Sequence, residues 1–166
     1  MTAWKGRFIE VKTAGKWEYV SRPPGVSAAV ILAIEDGHVL LVEQYRVPLG
    51  RACLELPAGL VGDETNGELP LAAAARELEE ETGYRADRIE SLGEFYPSPG
   101  MVSEHFTLVR ATGLTKVGPG GGNEDENIVV HRVLLAEIPA FVAAKRAANV
   151  AIDVKLWVLL GPSLLA

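Results

Sequence analysis

Three glutamates, Glu77, Glu80 and Glu81, stand at spacings that place them on one face of an α-helix. A helix is predicted over residues 69–82, because a proline suits its first turn, alanines follow, and Gly83 suits the position after its end. Like charges this close repel by about a few tenths of a kcal/mol per pair, and the negative end of the helix dipole disfavours them further. The pattern indicates either a bound hard cation such as Mg²⁺ or a solvated acidic face.

The residues around these glutamates extend the pattern. Five residues separate Gly62 from Glu68, seven separate Glu68 from Arg76, and the run 76–84 reads Arg-Glu-Leu-Glu-Glu-Glu-Thr-Gly-Tyr. This arrangement resembles the signature box of the Nudix hydrolases, and Glu68 is expected to be a structural residue that holds Arg76. Gly59 and Gly62 are alternatives for the first position of the box, and Gly59 stands nine residues before Glu68. We favour a longer box loop in which Gly59 keeps the structural role.

The resemblance implies an α/β (α+β) fold, an α/β/α sandwich with a mixed sheet between helices. It also implies cleavage of a nucleoside diphosphate joined to another group, by water and divalent metal ions. The implied cofactor is Mg²⁺, with Mn²⁺ as the alternative, held by Glu77, Glu80, Glu81 and the backbone carbonyl of Ala58. Glu80 is a catalytic candidate as well. Arg76 is expected to orient a box glutamate rather than to touch the substrate.

Markers outside the box resemble the ADP-ribose pyrophosphatase branch of this family. They are the segment 42–46 (Val-Glu-Gln-Tyr-Arg), the segment 54–59 (Leu-Glu-Leu-Pro-Ala-Gly) and Pro99, sixteen residues after Gly83. The resemblance implies hydrolysis of ADP-ribose to AMP and ribose 5-phosphate. Enzymes acting on GDP-mannose and other nucleotide sugars share these markers, so that specificity is the first alternative. A Nudix-fold sensor that binds a nucleotide without turnover is the second, disfavoured because the box glutamates are all present.

Three charged residues near these markers are candidates for substrate binding. Arg46 offers a bidentate contact to phosphate, which a lysine would make less well. Arg51 is a weaker candidate, and Glu104 follows the Pro99 segment. For Arg46 the alternative is a surface ion pair with Glu43 or another nearby acid.

A catalytic base is still required, and a glutamate on a closing loop suits that role. The segment 124–131 resembles the acidic loop and following strand of the branch. By that resemblance Glu124 is the base, and Glu126 is a catalytic residue that serves as an accessory metal ligand. The alternative is a solvated acidic loop.

The first 25 residues are predicted to form a β-hairpin, with strands at 8–12 and 16–20. A lone hairpin is marginal in water and must pack on its own domain or on a second subunit. Branch members are homodimers with exchanged N-terminal strands, which implies a homodimer here. Trp17 and Tyr19 are then candidates for stacking on the nucleobase, with core or interface packing as the alternative.

The remaining chain, 26–166, is predicted to be the Nudix domain that positions these residues. Buried-strand and turn patterns indicate a mixed-sheet α/β or α+β arrangement. The predicted strands are 27–34, 38–45, 51–56, 89–96, 104–111 and 128–134. Two further helices are predicted near 135–144 and 148–160, and the glycine-rich segment 116–126 is predicted to be a mobile loop.

Composition excludes several classes. The chain has 166 residues, a net charge of −6 and a single cysteine, Cys53. One cysteine rules out an internal disulfide and a cysteine zinc cage. The acidic balance disfavours nucleic acid as a partner, since that binding needs clustered lysine and arginine. The longest unbroken apolar run covers 28–34, far short of the ~20 residues that span a bilayer, so no membrane partner and a cytoplasmic location are expected.

Overall fold

The computed structural model describes residues 1–63, 67–123 and 126–164. The strands are β1 (Thr2–Lys5), β2 (Glu10–Ala14), β3 (Trp17–Ser21), β4 (Ser27–Glu35), β5 (His38–Arg46), β6 (Arg51–Glu55), β7 (Ala58–Val61), β8 (Tyr84–Phe95), β9 (Phe106–Lys116), β10 (Val129–Leu134) and β11 (Ala151–Ile152). The α-helices are α1 (Pro70–Thr82), α2 (Ile138–Ala147) and α3 (Trp157–Leu164), and 3-10 turns cover Val47–Leu49, Leu135–Glu137 and Val154–Leu156.

The central sheet is mixed and opens at its centre. Its strand order is β11-β6-β5-β4-β9-β8, with β10 also paired to β5 and β7 to β4. The pairs β4–β9 and β11–β6 are parallel. β4 pairs with β5 at Ile34 and Glu35, beside their turn, whereas its first half pairs with β7 and the far end of β5 pairs with β6. The two central strands therefore diverge from their shared turn and leave a cleft between them.

Two apolar layers hold helices on opposite faces of this sheet. On one face, Ala29 and Ile31 of β4 pack with Ala73, Ala74 and Leu78 of α1. On the other face, alternate residues of the same strands pack with α2 and α3. β4 is buried on both sides, as its continuous apolar run predicts. The α/β/α sandwich is therefore confirmed.

Helix α1 has the predicted bounds within one residue. A proline occupies its first turn, and Gly83 follows its end in the left-handed conformation, with φ of 71°. The alanines at 73 and 74 are fully buried, which lets the helix approach the sheet closely. No helix in the described ranges is both long and apolar enough to cross a bilayer.

Several element predictions are wrong because long-range pairing extends or replaces local structure. β8 begins at Tyr84 rather than at residue 89, since it pairs with β9 along nearly its whole length. The C-terminal helix predicted over 148–160 is instead the short strand β11, a 3-10 turn and α3. β11 forms because residues 151 and 152 pair with the edge of β6. β7 was not predicted at all.

The N-terminal segment is a three-stranded antiparallel sheet, β1-β2-β3, rather than a two-stranded hairpin. The third strand, β1, precedes the predicted hairpin and pairs with β2. One point of attachment to the main domain lies at Val20, whose N–H donates to the Met101 carbonyl and whose carbonyl accepts from Ser103 N–H, both at 2.9 Å. Trp4 and Trp17 on this sheet are more than half exposed.

Candidate active site

The cleft between the diverging strands has a volume of about 660 Å³. Strands β4 to β7 form its floor, and α1 supplies one wall. The loop after β9, the segment before β9 and the C-terminal segment around residues 153–155 complete it. The divergence of β4 from β5 therefore creates the space, and it does so beside the acidic face of α1.

Four glutamates line one end of the cleft. Glu77, Glu80 and Glu81 lie along α1, and Glu126 reaches the same cleft from the loop after β9. Gly59 of β7 backs this wall, and a Cβ placed there would overlap the carboxyl group of Glu77. This contact supports the structural role expected for Gly59. Gly62 also has such a role, since its φ is 82° and a Cβ there would lie 2.6 Å from the Gly25 carbonyl oxygen.

Two of these carboxyl groups are hard to ionise. Burial raises the pKa of Glu81 to about 8, despite a 3.0 Å hydrogen bond from the Ala58 N–H, and the charges of Glu77 and Glu126 add to the effect. Burial also raises the pKa of Glu77, although Arg76 opposes it. Poorly solvated carboxylates this close to one another are stabilised either by protonation of one of them or by a bound cation.

Arg76 holds the box together. Its guanidinium donates to Glu77 at 2.9 Å and to Glu80 at 3.2 Å. It also donates to both oxygens of Glu68 at 3.4 Å and to the carbonyl of Leu60 at the same distance. The predicted pairing of Arg76 with box glutamates and with Glu68 is therefore present.

The carboxylate oxygens of the box glutamates are the ligands that a divalent ion would meet in this cleft. In the described ranges, no group of three histidine, cysteine, aspartate or glutamate side chains already encloses a metal position. The box glutamates instead contact Arg76 and Ala58 N–H. Carboxylate oxygens are nevertheless the ligands that hard divalent ions prefer, and a cation would relieve the raised pKa of Glu81 and Glu77. By its chemistry, this set fits a divalent ion.

Arg46 makes a bidentate ion pair inside the cleft. Its guanidinium donates to the two oxygens of Glu55 at 2.6 and 2.9 Å, and Glu55 is only 4% exposed. The ion-pair partner is thus Glu55 rather than Glu43, which lies on the opposite face of β5. Glu55 was not predicted as a site residue, although a lone carboxylate in the apolar run 52–56 is a usable signal of a buried pair.

Two more ion pairs line the cleft. Arg22, just after β3, forms an ion pair with Glu104 at 2.5 Å. Glu104, a predicted substrate-binding residue, therefore lies in the cleft with its charge already paired. Lys155 donates to Asp153 at 2.6 Å and lies 5.9 Å from the centre of the Phe106 ring. Arg22, Asp153 and Lys155 were not predicted. No motif marks them, because they reach the cleft only through the fold.

Other predicted residues lie elsewhere. Arg51 donates to the side chain of Asn149 at 2.9 Å, outside the cleft. Trp17 is 65% exposed and Tyr19 is partly buried, and neither lines the cleft of its own chain in the described structure. Glu124 lies outside the described residues.

Comparisons with known proteins place this geometry in a family. The model of the NUDIX domain matches residues 23–154. A methanol dehydrogenase activator of Bacillus methanolicus is 39% identical over 128 residues, which cover 76% of this chain and 67% of that protein. An ADP-ribose pyrophosphatase of Bacillus subtilis is 38% identical over 125 residues, covering 75% and 65%. The chain spans about half of some other relatives, such as the 53% of an ADP-ribose pyrophosphatase of Mycobacterium tuberculosis.

A solved structure shares the architecture. A crystal structure of an ADP compounds hydrolase superposes with a TM-score of 0.70 at 26% identity, covering 86% of this chain and 80% of that one. The family match spans the diverging strands, the acidic helix and the loop that brings Glu126 to the cleft. This chain therefore belongs to the Nudix family.

Proposed function

We propose that this protein is a Mg²⁺-dependent diphosphatase that hydrolyses ADP-ribose to AMP and ribose 5-phosphate. The observation that carries the proposal is one cleft of about 660 Å³ that is lined both by carboxylates and by arginine and lysine side chains. Sites for small ligands usually measure roughly 300–1,000 Å³. A diphosphate needs cations around it, and a bound divalent ion and these side chains would supply them.

The relatives support this substrate class. Besides the two bacterial ADP-ribose pyrophosphatases, an ADP-sugar pyrophosphatase of Mus musculus is 46% identical over 77 residues. A GDP-mannose pyrophosphatase of Yersinia enterocolitica is 36% identical over 119 residues, so a guanine nucleotide sugar is the second candidate. The two candidates differ in the base and the sugar but not in the bond that is cleaved.

We assign Glu77, Glu80, Glu81 and the Ala58 carbonyl to the divalent ion. When bound, the ion offsets the charge of the diphosphate and makes the attacking water a better nucleophile. Arg76 keeps the carboxylates of Glu77 and Glu80 turned toward the cleft through its hydrogen bonds. The same hydrogen bonds partly balance the negative charge of Glu77 and Glu80 before the substrate binds.

In the proposed reaction, the oxygen of a water molecule forms a bond to one phosphorus of the diphosphate. The bond from that phosphorus to the bridging oxygen breaks, and the bridging oxygen leaves on the other phosphate. Glu124 accepts the proton of the water, and Glu126, which lines the cleft, serves as an accessory metal ligand. Water and ADP-ribose are thereby converted to AMP and ribose 5-phosphate with no other reactant.

The ion-paired residues of the cleft would hold the substrate. Arg46 is fixed by Glu55 and presents its charge to a phosphate without the loss of much side-chain freedom. Asp153 and Lys155 offer an acceptor and a donor for sugar hydroxyls, with Glu104 and Arg51 as further candidates. Trp17 and Tyr19 lie outside the cleft of their own chain. In a homodimer they would stack on a nucleobase bound in the cleft of the partner subunit.

The test is a substrate panel with the purified protein and Mg²⁺. ADP-ribose and GDP-mannose are compared by chromatography of released AMP and GMP, with Glu79→Gln as a matched control for Glu81→Gln. Glu79 pairs with Arg85 at 2.9 Å on an exposed surface, so its substitution should leave turnover unchanged. Release of GMP without AMP would replace ADP-ribose by the second candidate. Binding of ADP-ribose without release of either product would indicate a sensor.

A further inference from the structure

The glycine-rich segment after β9 is hydrogen-bonded to the C-terminal end of α1. Val117 and Gly118 donate their N–H groups to the carbonyl of Gly83, at 2.8 and 3.1 Å. Gly121 and Gly122 donate to the carbonyls of Glu81 and Glu80, at 2.8 and 3.1 Å. This part of the predicted mobile loop is thus tied to the helix, because the last turn of a helix offers free carbonyls and the segment supplies their donors.

The contact needs glycine on both sides. A Cβ on Gly120, whose φ is 69°, would overlap the Thr82 carbonyl carbon and lie 2.7 Å from the Gly83 nitrogen. A Cβ on Gly83 would likewise lie 2.6 Å from the Gly120 nitrogen. All of these neighbours are backbone atoms, which cannot turn away as a flexible side chain can. The two segments are therefore closer than any other residue type allows.

The same segment leads directly into the loop that carries Glu126. The Ile128 N–H donates to the Gly121 carbonyl at 3.0 Å and closes the base of that loop. Within it, the Glu126 carboxylate accepts from the Asn123 N–H at 2.8 Å. A Cβ on Gly122 would overlap the Glu126 carboxylate and lie 2.8 Å from the Ile128 side chain. The end of α1 and the base of the Glu126 loop thus form one hydrogen-bonded unit.

We propose that Gly120, packed on Gly83, is a positioning residue that sets the catalytic loop in register with the glutamates of α1. This inference rests on the proposed function. The carbonyls that hold the segment belong to Glu80 and Glu81 themselves, so the helix that carries the metal ligands also fixes the loop. Displacement by about 1 Å at such a site costs on the order of 100-fold in rate.

The first experiment compares Gly120→Ala with two matched glycine controls. Gly118→Ala lies in the same segment, but its Cβ would meet nothing within 4 Å. Gly15→Ala shares the left-handed backbone, with φ of 59°, and is also unobstructed in the distant β2–β3 turn. We expect Gly120→Ala to lower kcat by about 10- to 100-fold with KM for ADP-ribose changed less than about 3-fold. Both controls should keep native kcat, and Gly15→Ala should lose thermal stability from backbone strain alone.

The second experiment needs no activity. Amide hydrogen exchange followed by NMR should show strong protection of the Gly121 and Gly122 N–H groups in the native protein and its loss in Gly120→Ala. If Gly120→Ala does not fold, Gly83→Ala replaces it, because its Cβ would meet the same contact from the helix side, overlapping the Gly118 carbonyl oxygen and lying 2.6 Å from the Gly120 nitrogen. It should lower kcat in the same selective way.

The outcomes separate this inference from the proposed function. Rapid exchange of both amides in the native protein, or native kcat in Gly120→Ala, overturns the positioning role even if ADP-ribose is hydrolysed. An equal loss in Gly118→Ala would also overturn it, because the tight contact would then be irrelevant. If the native protein hydrolyses no nucleotide sugar while the protection pattern holds, the proposed function fails and the structural link stands.

Discussion

Two glutamates of this protein, the buried Glu81 and the partly buried Glu43, lie in opposite electrostatic environments. Burial raises the pKa of Glu81 to about 8, with Glu77 and Glu126 adding to the effect. Glu43 lies across the sheet. Burial opposes its ionisation, but Lys145 at 2.5 Å and the His131 ring at 3.0 Å hold its pKa below the ordinary value.

The difference separates two uses of one residue type. Glu43 joins α2 to the sheet and has its counter-charges within the chain, so its environment is already balanced. Glu81 lies in a group with more acids than Arg76 can balance, and the missing charge must come from protons or from a bound cation. An unbalanced acidic cluster beside a cleft therefore indicates catalysis, whereas a balanced one indicates structure.

The largest expected effect separates these two glutamates by activity. Glu81→Gln should lower kcat/KM for ADP-ribose by about 100-fold or more, because a metal ligand contributes several kcal/mol to the transition state. Glu43→Gln should leave kcat/KM nearly native and lower the melting temperature, since Lys145 and His131 lose their counter-charge. Steady-state kinetics and calorimetry measure both. Equal activity losses in the two variants would contradict the comparison.

A smaller effect is expected at the balanced pair within the cleft. Arg46→Lys should raise KM about 10-fold, because lysine cannot keep the bidentate contact with Glu55 and point a second donor at phosphate. Arg85→Lys, on an exposed arginine that pairs with Glu79 outside the cleft, is the matched control. An unchanged KM in Arg46→Lys would assign Arg46 to structure alone.

The two glutamates should also give opposite pH dependences of stability. The folded-state pKa of Glu81 lies above its ordinary value of 4.5, so the folded protein binds the extra proton between about pH 4.5 and 8. The metal-free protein should therefore become less stable, with a lower melting temperature, as the pH rises through that range. Glu81→Gln or saturating Mg²⁺ should remove this slope.

For Glu43 the sign is reversed. Its pKa is lowered in the folded protein, so its contribution is present above the ordinary value and is lost as the pH falls below it. Glu43→Gln should remove part of the acid-side loss of stability. Thermal unfolding from pH 4 to 9 measures both slopes. The same slope in both variants would show that the two environments do not differ as described.

The smallest effect is expected at Lys155. Lys155→Ala should raise KM for ADP-ribose about 3-fold, since the loss of one hydrogen bond to a sugar hydroxyl costs about 0.5–1.5 kcal/mol. Lys16→Ala, on an exposed residue of the β2–β3 turn, is the control. A change in kcat rather than in KM would assign Lys155 a role in catalysis instead of substrate binding.

The sequence predicted the helix and its acidic face because both depend on contacts three and four residues apart. Gly59 and the pairing of Arg76 with Glu68 also followed, since the box pattern fixes their spacing. Glu55 was missed because its partner Arg46 lies nine residues away on a neighbouring strand. Lys155 and Arg22 were missed because they reach the cleft from opposite ends of the chain.

The sequence by itself determined the box helix, the two-faced burial of β4 and the family, since each follows from local spacing or a short motif. Tertiary structure decided where the cleft opens, which cations balance its acids and how the glycine-rich segment meets α1. These depend on strand divergence and on backbone packing between segments more than thirty residues apart, such as Glu81 and Gly121. No local pattern encodes such distances, because only the assembled sheet brings those atoms together.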